Sequence, residues 1–212
     1  MNKEDPWDQK FYPKGTSAFD RMIFFSDAVF AIALTLVAVG IGLPMVKDAG
    51  SIPELLHALL VLWPKLVAYA FTFMWIAFYW RANHKFTVAL KGMNARYITV
   101  ELLYLAFIAL LPLPAATLGE YTVNPVALSF FSVWVAIVST LEVVLILVAD
   151  HHDLYICPLT KTEKRQKVIA SLTPVASFLA FAILVFVSIP LAIVLWIIMA
   201  VFMTIASRRK SE

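Results

Sequence analysis

Five polar side chains in this 212-residue sequence sit within or at the edge of apolar stretches, where they could do chemistry: Asp27, Asn83, His84, Glu101 and Glu142. An ionisable group in hydrocarbon costs several kcal/mol, so each must be paired inside the protein or used to move ions or protons. One reading makes Asp27, Glu101, Glu142 and His84 the coupling site of a proton-coupled secondary transporter. The other makes Glu101, Glu142 and His84 buried packing residues that satisfy one another. Depth helps to weigh them. Counted from Arg21, Arg96 and Asp150 at ~1.5 Å per residue, the three acids lie roughly 8–12 Å from one end of their helices. Transporter sites usually sit near the bilayer midplane with routes to both faces. A one-sided layer fits a paired structural network better.

Other chemistry lacks its residues. No Ser-His-Asp, zinc-protease or paired-acid arrangement stands out, so the chain is read as a non-enzyme. His151-His152-Asp153 with Cys157 has no ligand spacing, because adjacent histidines point apart on a helix, and no metal site is predicted. Gly40-x-Gly42 lacks a preceding strand, which removes a dinucleotide reading. Ala38-Val39-Gly40-Ile41-Gly42 resembles a channel's backbone-carbonyl filter but lies in a continuous span with no pore helix before it. The single cysteine excludes an intrachain disulfide, and a net charge of +3 does not indicate nucleic acid as a partner.

The elements that position these residues follow from composition. Hydrophobic residues make up 62% and charged residues 15%, against about 45–50% and about 25% in soluble chains. The fold class is therefore all-α integral membrane. Predicted spans are 22–45, a second starting near Trp63 and running to Trp80, 97–118 and 126–149. The uncharged run 168–207 follows, about 60 Å as helix and so two crossings, broken at Ser188-Ile189-Pro190. Six spans place fifteen of the 17 Lys and Arg on one side, leaving Lys47 and Lys65 on the other. The positive-inside rule then puts both termini in the cytoplasm. The organisation expected is a tail over 1–18, a six-helix membrane domain over 19–207 and a tail over 208–212.

On the first span Phe25, Ala28, Ile32, Thr35, Val39 and Gly42 recur at helical spacing, with Leu36 and Leu43 flanking. Asp27 lies about 140° around the helix from Ile32 and faces away from this stripe. Such a stripe is ordinarily a lipid or packing face. Hydrophobic constrictions that gate by dewetting use the same residue types.

Two motifs carry a family resemblance. Arg21-Met22-Ile23-Phe24-Phe25-Ser26-Asp27 reads R-x-x-x-F-S-D at the start of the first span, and Trp80-Arg81-Ala82-Asn83-His84 reads W-x-x-x-H at the end of the second. Together with the six-span layout they resemble the transmembrane protein 175 family of potassium channels. The resemblance implies a potassium-selective, leak-type channel without a carbonyl filter, in a prokaryotic inner or plasma membrane. Its partners would be itself, potassium ions and the lipid bilayer, with no cofactor beyond the permeant ion. Relatives with two tandem repeats form dimers, so one motif copy implies a homotetramer whose first helices line a central pore. Ile32 would form the constriction, Thr35 would set selectivity, and Leu36 and Val39 would be further pore-facing apolar positions. Arg21, Phe25, Ser26, Asp27, Trp80, Asn83 and His84 would form the structural network holding the first helix.

Overall fold

The computed structural model describes the backbone of residues 11–208 and the side chains of residues 11–198. Lys3, Trp7, Lys10, Arg209 and Lys210 lie outside the described residues. The first helix, α1, is Ser17–Val39. It starts five residues earlier than the apolar pattern predicts, because the Thr16 hydroxyl caps it by accepting from the Phe19 amide at 3.4 Å. It also ends earlier, before Gly42, which takes a left-handed φ of +74°. Next come α2 (Ile52–Val61) and α3 (Trp63–Val88), where Pro64 in the first turn of α3 marks the break. The third expected span is divided at Pro112 into α4 (Ala95–Ala109) and α5 (Pro112–Glu120). α6 is Pro125–His151, capped by Asn124. α7, Lys161–Leu184, opens on a Thr160/Glu163 capping box and carries Pro174 within it. α8, Ile189–Arg208, follows the predicted Ser188 break.

Among the described residues, five segments are long and apolar enough to cross a membrane: Ser17–Val39, Ile52–Val88, Ala95–Glu120, Pro125–His151 and Lys161–Leu184. The chain is a multi-pass membrane protein. The sixth expected span falls on α8, whose described apolar stretch is Ile189–Ile198. The fold is all-helical apart from one short ladder. β1 (Phe11–Pro13) pairs antiparallel with β2 (Gly92–Asn94), Tyr12 opposite Met93. The pairing is close enough that a Cβ on Gly92 would come within 2.4 Å of the Phe11 ring.

That ladder gathers three connections at one end of the bundle. The Lys91 amide donates to the Leu154 carbonyl at 2.8 Å, and the Ile156 amide to that of Ala89 at 2.9 Å. Lys91 pairs with Asp153 at 2.8 Å, and the Lys14 ammonium donates to the Val88 carbonyl at 2.7 Å. The start of α1, the α3–α4 turn and the α6–α7 loop therefore share one end, here called the basic end, as the expected alternation of spans requires. At the other end Lys65 pairs with Glu120 at 2.7 Å, tying α3 to α5. α6 packs along α7 and against α4 and α5, while α1 lies on α3 and α4. Phe30, Ile76, Tyr79, Tyr104, Ile108 and Val135 fill the core between them.

Candidate functional site

α1 presents two faces. Phe19, Ser26, Phe30, Ala33 and Val37 are buried at three-, four- and seven-residue spacing against α3, α4 and α5. Phe25, Ala28, Ile32, Thr35, Leu36 and Val39 are exposed within the single chain. Ile32 is 56% exposed and Val39 73%, so neither packs into its own bundle. Gly42 falls beyond the helix and drops out of the predicted stripe. Thr35 donates its hydroxyl proton to the Ile32 carbonyl at 2.8 Å. That bond commits the proton and leaves the oxygen lone pairs facing outward, which suits a cation and not an anion.

A polar anchor holds the buried face. Asn83 on α3 donates from Nδ2 to Glu101 Oε1 on α4 at 2.8 Å. The Ser26 hydroxyl lies 3.3 Å from both Asn83 Oδ1 and Glu101 Oε1, and its one proton serves either acceptor. Ser26, Asn83 and Glu101 are all buried. Between helices in a bilayer such bonds contribute about 0.6–2 kcal/mol each, where apolar burial alone gives little drive. A second, exposed contact lies beside it. The Trp80 indole donates to Asp27 Oδ1 at 2.9 Å, and the Trp80 ring stacks on His84 with centroids 5.6 Å apart.

The structure regroups the residues singled out in the sequence. Ser26, Asn83 and Glu101 meet in one cluster, and Asp27, Trp80 and His84 in another. Glu101, Glu142 and His84 do not satisfy one another. Glu101 bonds Ser26 and Asn83, His84 stacks on Trp80, and Glu142 faces a small cavity lined with Asn83 and Tyr104. They come from different helix faces, which span-by-span depth counting does not resolve. Arg21 and Phe25 line an open slot with Tyr12, Met22, Ile98 and Leu102 instead of joining either cluster. Asp27 sits ten residues into α1, about 15 Å from its start, deeper than counting from Arg21 suggested. Sequence reading missed the Tyr79 hydroxyl, 2.7 Å from Ser139 on α6. A Tyr within an apolar span was the available signal, since a buried phenol needs a partner.

Residues 21–112, which hold both motifs, match the family described as endosomal/lysosomal potassium channel TMEM175. A potassium channel of Streptomyces collinus is 36% identical over 101 residues, 48% of this chain and 48% of that protein. A potassium channel of Chamaesiphon minutus is 32% identical over 124 residues, 58% of this chain and 61% of that one. The matches thus span about half to three fifths of these relatives' length. The crystal structure of a lysosomal potassium-selective channel TMEM175 homolog from Chamaesiphon minutus has a TM-score of 0.71 and 24% identity, over 91% of this chain and 99% of that one. A variant of the potassium channel MtTMEM175, solved with a nanobody–MBP fusion protein, gives a TM-score of 0.60 at 16% identity, over 97% of this chain and 99% of that one. At these identities the structural likeness is one of fold.

Proposed function

We propose that the chain is a member of the transmembrane protein 175 family, whose model matches residues 21–112, and one subunit of a potassium-selective, leak-type channel. Four copies surround a central pore lined by the exposed face of α1. Ile32 forms the constriction, Leu36 and Val39 continue the apolar wall, and Thr35 offers its lone pairs to a cation that has shed part of its hydration. The channel lies in a prokaryotic plasma membrane with the basic end, and so both termini, in the cytoplasm. The observation that carries this reading is the unpartnered stripe from Phe25 to Val39, set against a tightly anchored opposite face of the same helix.

An apolar ring restricts ions because a cation must keep its water or lose hydration worth many kcal/mol. Selectivity then depends on which cation sheds water at least cost. The test is a potassium flux assay on purified chain in proteoliposomes, with sodium and proton controls. A potassium-preferring, electrogenic flux that persists without a pH gradient is expected. Saturable flux that requires a proton gradient would support the transporter reading instead. That reading has less support, because the Asp27–Trp80–His84 contact, the Glu101 cluster and the Glu142 cavity are three distinct places.

A further inference from the structure

At the crossing of α3, α4 and α6, the side chains of Ala82, Asn83, Phe86, Tyr104, Glu142 and Leu145 enclose a cavity of about 10 Å³. That is about the room one water needs, and too little for a larger ligand. Three of its walls are polar. Tyr104 is 1% exposed, and its hydroxyl has no hydrogen-bond partner among the described residues. Asn83 donates one amide hydrogen to Glu101, leaving its second N–H unspent. Glu142 brings a carboxyl group from α6 to the same lining, so a water there meets the two or more polar partners it needs.

We infer that this cavity is a binding site for one ordered water, which accepts from Asn83, donates to Glu142 and exchanges a hydrogen bond with Tyr104. Its consequence is mechanical. The Ser26–Asn83–Glu101 cluster joins α1, α3 and α4 directly, and the water extends it to α6, along which α7 packs. It also gives the orphan Tyr104 hydroxyl a partner, as buried polar groups require. None of this depends on what α1 conducts.

A double-substitution cycle on the full-length chain in detergent tests the site through its apparent Tm. Tyr104→Phe and Glu142→Leu should each lower Tm by about 2–4 °C, the loss of one bridged bond in a chain of this size. The double variant should lose no more than the larger single loss, because either change releases the water. Additive losses, or no loss, would overturn the site. Tm should also be the same in sodium, potassium and choline chloride. A rise specific to one metal cation that vanishes in Tyr104→Phe would mean a bound ion and contradict the water. Should Glu142→Leu not fold, a high-resolution map of the unaltered protein decides the matter. A density peak within hydrogen-bond distance of Tyr104 and Glu142 supports the site, and an empty cavity rejects it.

Discussion

The two faces of α1 are built from nearly the same residues and behave in opposite ways. Phe19, Ser26, Phe30, Ala33 and Val37 are buried, while Phe25, Ala28, Ile32, Thr35 and Val39 are exposed. Each set has aromatic and aliphatic side chains and one hydroxyl. What differs is where the hydroxyl points its proton. Ser26 directs it outward to Asn83 and Glu101 on neighbouring helices, and Thr35 turns it back to its own helix at Ile32. The first bonds hold α1 to the bundle. The second leaves an oxygen free to meet something outside the chain. Composition alone therefore does not tell the packing face of α1 from its exposed one; the anchor to α3 and α4 does.

That contrast can be broken by substitution. The largest effect is expected at Phe30, 1% exposed and beside Tyr104 with ring centroids 6.1 Å apart. Phe30→Ala should cost about 3–5 kcal/mol through the cavity it leaves, while Phe25→Ala on the other face should stay within about 0.5 kcal/mol. Thermal melts of the two variants side by side measure the difference. Asn83→Leu comes next. It strips Glu101 of its 2.8 Å donor and should cost about 2–3 kcal/mol, a fall of roughly 5–10 °C in apparent Tm.

Thr35→Val keeps the shape of the exposed face and removes its one oxygen. Stability should be unchanged, while potassium-over-sodium preference in flux should fall by roughly fivefold, equivalent to about 1 kcal/mol. The smallest effect is expected at Tyr155, in the α6–α7 loop. Burial, then the nearby Asp150 charge, pushes its phenol above the usual 10.0. A raised pKa on a group that is neutral at low pH contributes stability that is complete below the ordinary value and is lost as pH rises past it. The Tyr155 hydroxyl has no partner among the described residues. Tyr155→Phe should therefore be nearly silent at neutral pH and should flatten the loss of Tm in strongly alkaline buffer.

Much of this arrangement can be read from the chain and part cannot, for physical reasons. Helical periodicity separates Asp27 from the Ile32 stripe, because both lie on one helix whose geometry is known. The Ser188 break and the Pro112 interruption are equally local. The partnership of Glu101 with Asn83 is not, since it depends on how α3 and α4 rotate against each other, and three acids expected at similar depth look alike in one dimension. β1 and β2 are three residues each and some eighty residues apart, too short to show an alternating pattern. The early start of α1 is set by Thr16, a capping residue that an apolar pattern does not register.

The central claim is that the exposed face of α1 borders the path of the ion. Substituting Ile32, 56% exposed and bonded through its carbonyl to Thr35, tests it most directly. Ile32→Asn puts a polar group into the apolar ring without touching the anchor. In proteoliposomes the variant should melt like the unaltered protein, carry about tenfold more potassium, a barrier lowered by about 1.4 kcal/mol, and discriminate less against sodium. Unchanged flux and selectivity in variant protein that is folded and reconstituted to the same level would contradict the account.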